Sequence, residues 1–241
     1  MADRMKRFYL YSSLLVASFF LLFLGEEGLA LIVKTNRRLS GFSVDSRNYI
    51  YLESARNHVT KVPTAKIQII DVATNACVKK GCLETNYNYS DSNLTPKEAE
   101  ESLLRKTQRI RRSLGLNQLK VGLKLPIIER SIQPNGTETV KVLVDKEKDP
   151  LEIRLEQIYI PSVLSGGMSD IDRASMQLVI NYNYRQLTLG KLNNYREAIR
   201  KYSIREVRLS PNRQNIVVLI NLHQATYNAD FQTTFVQSFP I

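Results

Sequence analysis

The stretch Val207–Leu219, VRLSPNRQNIVVL, runs from an apolar residue and a serine through a polar turn into an unbroken β-branched run. Gly41–Leu52, GFSVDSRNYIYL, has the same order: Phe42-Ser43, a turn over Val44–Arg47, then Tyr49, Ile50, Tyr51 and Leu52. Ser, Asp, Asn and Pro initiate turns by bonding to their own backbone or presetting φ, and β-branched and aromatic residues fit a pleated surface. The chain therefore opens and closes on one turn–strand unit. Each unit alone is a ribbon that is marginal in water, so the two are expected side by side in one sheet, with the ends of the chain meeting there.

Between the units, period-two patterning recurs. Asn48–Glu53 and Lys66–Val72 read as strands with a mostly polar connection between them, and Leu119–Leu125 alternates. Gln133-Pro134-Asn135-Gly136 is a turn before the strand Glu138–Asp145, and Asp149-Pro150 breaks that run before Leu151–Ile160 alternates again. Ser175–Leu189 fits one long strand or a hairpin, and Asn215–Leu222 is a further strand. Tyr195, Ile199 and Tyr202 at helical spacing predict a second, short helix over 192–201. The fold class is α+β, predominantly antiparallel β, with one well-defined helix over residues 96–114.

That helix has the clearest local signals in the chain. Thr95-Pro96-Lys97-Glu98 places a hydroxyl at the N-cap, Pro where the missing N–H costs nothing, and Glu where it closes a capping box. Ala99, Leu103, Ile110 and Leu114 share a face that can bury against a sheet, and Gly115 ends the helix. Acids lead and bases trail, the order the helix dipole favours. Arg105, Arg109 and Arg112, spaced by four and three, line the opposite face and form the candidate anion-binding set. The competing reading is a solvated surface partly neutralised by a Glu101–Arg105 pair, worth only about 0.2–0.5 kcal/mol.

The first 30 residues carry an export signature. Arg4, Lys6 and Arg7 precede the uncharged run Phe8–Leu24, and Gly28-Leu29-Ala30 sets small residues where a signal peptidase reads. The domain reading is a signal peptide over 1–30 and a single β-rich exported domain over 31–241, secreted or periplasmic. The alternative is an uncleaved anchor, because the run reaches the lower limit of a membrane span. The chain has 34 Lys and Arg against 23 Asp and Glu, net +11. Its first 30 residues hold three of each sign, so the exported part is basic in its own right. Such a domain suits an anionic envelope surface, or another envelope protein, as partner. Export and the lack of any recognition motif argue against nucleic acid.

Cys77 and Cys82 bracket Val78-Lys79-Lys80-Gly81. No second Cys or His pair completes a metal site, and four intervening residues exclude a redox C-x-x-C. In an oxidising compartment the two thiols close a short disulfide, worth roughly 2 kcal/mol on the loop-entropy model. Asn88-Tyr89-Ser90, Asn93-Leu94-Thr95 and Asn135-Gly136-Thr137 are formal glycosylation acceptors, of little weight under a bacterial reading.

Phe42, Ser43, Asp45, Arg47 and Glu53, then Ile67, Ile69, Ile70, Asp71 and Val72, and near the end Leu209, Ser210, Pro211, Asn212 and Phe235 follow a common pattern. It resembles a bacterial family of predicted secreted proteins of unknown function that carry F-S-x-D-G-R strand units. Ser46 and Arg213 stand where that pattern has the turn Gly, and residues 54–65 lack its Gly-rich stretch. The resemblance implies export and no established activity. The units are also similar, more weakly, to TolB-type and WD40-like propeller repeats, but only two copies occur and a propeller needs at least four blades.

No catalytic constellation is legible. His58 and His223 are the only imidazoles, and neither has a metal-ligand pattern beside it. Ser165-Gly166-Gly167 lacks the flanks of a nucleophile elbow, and Asp170-Ile171-Asp172 is at best half a Ca²⁺ loop. No metal site or cofactor is expected. The leading function is a non-enzymatic binding or scaffolding domain, and the alternative is a hydrolase of an envelope polymer whose carboxylates converge only in the fold. Mass spectrometry of exported protein is expected to show a chain beginning at Leu31. Recovery of residues 1–30 in a membrane fraction would make that segment an anchor.

Overall fold

Asn215–Leu222, the most continuous apolar strand of the sequence, is buried on both faces, and the fold is arranged around it. In the computed structural model, which describes residues 31–57, 60–145, 147–161, 173–226 and 229–241, three antiparallel sheets carry the chain. The export signature, His58, Ser165–Gly167 and Asp170–Asp172 lie outside the described residues. The N-terminal sheet has the order β2 (Asn36–Phe42), β3 (Asn48–Arg56), β4 (Pro63–Asp71) and β5 (Ala76–Cys77), with β6 (Leu83–Glu84) also on β4. The central sheet runs β1 (Leu31–Lys34), β16 (Ala229–Pro240), β15 (Asn215–Thr226), β14 (Lys201–Leu209), β7 (Leu123–Leu125). The far sheet runs β12 (Arg185–Gly190), β11 (Arg173–Tyr182), β10 (Leu151–Ile160), β9 (Glu138–Val142), β8 (Ile127–Ile132), with β13 (Arg196–Glu197) on β11. Two helices, α1 (Pro96–Lys106) and α2 (Gln108–Ser113), complete the set.

The period of two sorts the core into layers. Ile216, Val218, Ile220 and Leu222 of β15 pack with Ile153, Leu155, Leu178 and Ile180 of the far sheet. The alternate residues Val217 and Leu219 pack with Tyr49, Tyr51, Ile70 and Val72 of the N-terminal sheet. On the outer face of that sheet, Ile50, Leu52, Ile67 and Ile69 meet Ala99 and Leu103 of α1, with Ile110 and Leu114 partly buried beside them. The order is far sheet, central sheet, N-terminal sheet, helices, and the expected helix face is the one that packs.

The two turn–strand units are the same structure made twice. In the first, Ser43 N–H donates to Asn48 O at 2.8 Å and Asn48 N–H donates back to Ser43 Oγ at 3.0 Å. The Ser43 hydroxyl donates to Asp45 Oδ1 at 2.6 Å, and Ser46 N–H donates to Ser43 O at 2.9 Å. In the second, Ser210, Asn215, Asn212 and Arg213 make the same four bonds, at 2.8, 3.0, 2.6 and 2.9 Å in that order. Both preceding strands carry a bulge at an arginine, Arg38 between Arg37 and Leu39, and Arg205 between Ile204 and Glu206. The meanders β2-β3-β4 and β14-β15-β16 are therefore equivalent.

The expectation that the two units share one sheet is corrected, because they lie in facing sheets. Each meander already gives its middle strand both neighbours from its own chain segment, so no pairing is left for the other unit. What joins them along one side is the segment after the helices. Phe42 N–H donates to Lys120 O at 2.7 Å and Lys120 N–H to Phe42 O at 2.9 Å, after which β7 pairs with β14. Gly122 lies at φ +71° between the units, and a Cβ there would sit 2.6 Å from both Leu209 O and the Phe42 ring. This geometry also limits the strand expected over Leu119–Leu125 to its last three residues.

Other expectations change in detail. The helix over 96–114 is two helices, broken at Thr107, whose buried hydroxyl donates to Leu103 O at 2.8 Å. A β-branched residue bonding back to the preceding turn favours such a break. The second helix over 192–201 is absent: Ala198 has φ +60°, Arg196 pairs with Ala174, and Tyr202 and Ile204 point inward at strand period. Ser175–Leu189 is a hairpin, with Asn183 and Tyr184 at φ +49° and +59° as a type I′ turn requires. β3 and β4 continue their pairing to Arg56 and Pro63, shortening the polar connection.

Ser46 and Arg213, at φ +63° and +60°, occupy the left-handed position that favours Gly. Ser46→Gly is expected to raise stability by about 0.5–1 kcal/mol, and Ser46→Val to lower it by more than about 1 kcal/mol. Urea unfolding midpoints of the two variants check both signs.

Candidate functional site

The basic face is built by a well-capped helix. Glu98 N–H donates to Thr95 Oγ1 at 3.2 Å, and Thr95 N–H returns a bond to Glu98 Oε2 at 2.6 Å, so the capping box forms as read. The bond from Thr95 N–H, followed by that from its hydroxyl, holds the Glu98 carboxyl below its ordinary range. At the other end Gly115, at φ +64°, lets Leu116 N–H reach Arg111 O at 2.8 Å and closes the last turn. With Ala99 and Leu103 turned to the sheet, Arg105, Lys106, Arg109 and Arg112 are exposed. The Glu101–Arg105 pair of the competing reading does not form: among the described residues no acid lies within ion-pair distance of Arg105, Arg109 or Arg112. Arg111, on the flank, is half-buried and donates to Leu104 O at 3.0 Å. Burial, then the charge of Arg112, pulls its pKa down.

Two buried acids, Glu53 and Glu206, lie in a seam between the N-terminal and central sheets. β16 beyond its pairing with β1 presents an edge, and side chains of the N-terminal sheet answer it. Thr234 N–H donates to Glu53 Oε1 at 2.7 Å, Val236 N–H to Gln68 Oε1 at 3.2 Å and Ser238 N–H to Asn75 Oδ1 at 2.8 Å. Gln68 Nε2 also donates to Thr234 O at 2.8 Å. Glu53, 1% exposed, accepts the Thr35 hydroxyl on its other oxygen at 2.5 Å. Burial raises the Glu53 carboxyl above its ordinary range, and these bonds pull back against it. Alongside, Glu206 pairs with Arg208 and with Arg37, and Arg205 donates to Tyr51 Oη at 3.1 Å. Burial pushes the Tyr49 hydroxyl up to about 12.

The disulfide between Cys77 and Cys82 is formed. It closes the loop whose Val78 N–H donates to Ile69 O at 2.9 Å while Ile69 N–H donates to Gly81 O at 3.1 Å, holding the loop on β4 directly after Asn75. His223 lies within β15 instead of at its end, with Nε2 3.2 Å from Ser203 Oγ and from Gln232 Nε2. The twinned turns border a groove of about 850 Å³ lined by Asp45, Ser46 and Arg47 from one and Asn212, Gln214 and Asn215 from the other. Among the described residues no cluster of three or more His, Cys, Asp or Glu is placed to hold a metal ion, and no helix is long and apolar enough to cross a membrane.

Sequence reasoning located the arginines and the cysteines and missed the seam. Its signal was a polar residue out of pattern in a buried run, Glu53 in NYIYLESAR and Gln68 in KIQII.

Fold and site together define a layered, mainly antiparallel β protein with acids drawn inward and a basic helical face turned out. The chain belongs to the family described as predicted secreted protein (DUF2259), whose model matches residues 57–228. That match includes both helices, the disulfide and the Val207–Leu219 unit, and begins after the Gly41–Leu52 unit. A search of curated proteins finds no match.

Removal of the Glu53 acceptor by Glu53→Leu is expected to cost about 2–3 kcal/mol, because Thr234 N–H is then buried without a partner. Glu53→Gln keeps one acceptor oxygen and costs less. A carboxyl with a raised folded-state pKa contributes fully below its unfolded value and loses that contribution as pH rises through the folded one. The stability of the natural protein relative to Glu53→Gln therefore falls as pH rises above the ordinary carboxyl range, measured by urea unfolding at each pH.

Proposed function

We propose that this secreted protein is a non-enzymatic binding or scaffolding domain of the bacterial envelope, held to an anionic surface by the basic face of α1 and α2. The reading takes residues 1–30 as a cleaved export signal, residues 31–241 as a single exported domain, and the periplasm or the exterior as its destination. It takes the twinned turns as F-S-x-D-G-R units, with Ser46 and Arg213 in the place of the Gly.

The observation that carries it is the exposure of Arg105, Arg109 and Arg112 without a neutralising acid, on a chain of net charge +11. Like charges on one rigid face attract a polyanion over a Debye length of about 8 Å at physiological salt. Hydrolysis of an envelope polymer needs carboxylates gathered in a cleft. Glu53, raised by burial, is committed to Thr35 and Thr234 inside the seam, which supports binding over hydrolysis.

The test is co-sedimentation of the mature protein with phosphatidylglycerol vesicles, using phosphatidylcholine vesicles as the neutral control. Arg105→Glu, Arg109→Glu and Arg112→Glu combined are expected to leave the unfolding midpoint nearly unchanged, since exposed charges contribute little to stability. Binding to the anionic vesicles is expected to weaken by roughly tenfold or more at about 0.15 M salt. Equal binding by the natural protein and the triple variant would refute the reading.

A further inference from the structure

The three sheets meet again along the outward edge of β16, at Phe235 and Gln237. Phe235 and Gln237 contribute from the central sheet, Met176 from the far sheet, and Asn75 from the turn after β4, enclosing a cavity of about 180 Å³. The chain leaving β12 brings Lys191 and Asn194 to its rim, and β13 sets Arg196 into its wall. No acid lines it.

Two features set this cavity apart from ordinary surface charge. The Arg196 guanidinium lies 3.9 Å above the centre of the Phe235 ring and also hydrogen-bonds the Tyr202 side chain, so it is held in one plane. The opposite wall is also fixed. Asn75 accepts Ser238 N–H at 2.8 Å and donates to Gln237 Oε1 at 3.0 Å, while Gln237 Nε2 donates to Val236 O at 3.0 Å. Those two carboxamides are thus consumed in building the pocket. Lys191 and Asn194, by contrast, have side chains with no hydrogen-bond or ion-pair partner among the described residues.

We infer that this cavity is a binding site for a small oxyanion, the phosphate or carboxylate group of a low-molecular-weight ligand, received by Lys191, Asn194 and the ring-stacked Arg196. Two cations and a carboxamide donor without a counter-charge favour an anion, and a planar guanidinium offers paired donors that match two oxygens. At about 30 Å³ per water molecule, the volume holds one such group and a few further atoms. The site is separate from the basic helix face and does not rest on that reading.

Calorimetric titration of the mature protein with inorganic phosphate, and separately with acetate, tests the assignment and distinguishes the two sources. Saturable binding of either is expected, with phosphate alone pointing to a phosphate-bearing ligand and acetate alone to a carboxylate. Lys191→Gln, at an exposed residue with no partner whose loss leaves the fold intact, is expected to weaken binding roughly tenfold, and Lys191→Gln with Arg196→Gln to abolish it. The Arg105, Arg109 and Arg112 triple variant is expected to bind the small anion as the natural protein does. Failure of both anions to saturate the natural protein, or equal binding by Lys191→Gln, or loss of binding in the helix variant alone, would each overturn the site.

Discussion

The outward edge of β16 is the constraint on which the arrangement of the layers depends. An edge strand exposes a row of unpaired N–H groups that either invites another chain or must be covered. Here Thr234, Val236 and Ser238 donate in turn to Glu53 on β3, Gln68 on β4 and Asn75 in the following turn. Three donors in register with three side chains on one strand pair admit a single placement of the N-terminal sheet. A slip by one residue would leave buried donors unmatched, at about 1–3 kcal/mol each. The apolar contact of Tyr49, Tyr51, Ile70 and Val72 with Val217 and Leu219 supplies attraction, whereas the caps supply position.

That division explains what the sequence disclosed and what it concealed. Caps, turns and the disulfide are local: Thr95 and Glu98, Gly115, the two Ser turns, and Cys77 with Cys82 announce themselves within a few residues. The side-chain caps of β16 are long-range, with Glu53 and Thr234 181 residues apart, so Glu53 stands out of pattern in its strand while nothing near it names its partner. β16 itself, ADFQTTFVQSFP, escaped notice because its Gln, Thr and Ser face a seam that satisfies them, so polar residues sit where a strand would otherwise show apolar ones. The helix expected over 192–201 failed for a related reason. Tyr195, Ile199 and Tyr202 match helical spacing, but Ile199 and Tyr202 are buried against two sheets by a chain that reverses at Ala198.

The duplicate meanders show how one sequence unit is used in two environments. β15 and β3 occupy the same place in their repeats, yet β15 is packed between two sheets while β3 is packed between a sheet and a helix pair. Tyr49 and Tyr51 stand where β15 has Ile216 and Val218, and their hydroxyls carry the polar contacts of the seam, to Ser40 at 2.5 Å and Thr234 at 3.1 Å. The turn is preserved because it closes each unit locally, and the strand faces diverge because each answers a different layer.

The same burial determines the electrostatics of the surface. Glu53, Glu100, Glu138 and Glu206 are buried, and Arg208 is the only buried base among the described residues. Each of those acids has a partner: Thr35 and Thr234 for Glu53, Ser54 for Glu100, the exposed Arg130 for Glu138, and the exposed Arg37 with the buried Arg208 for Glu206. Those carboxylates are committed to interior and seam contacts, and the exposed Arg37 and Arg130 are committed with them. The arginines of the helix face lie on the outermost layer, and Glu100 of the same helix turns inward to Ser54 of β3. That contact, with the Arg38–Glu100 pair at 3.7 Å, leaves the arginines of the face with no acid at ion-pair distance among the described residues.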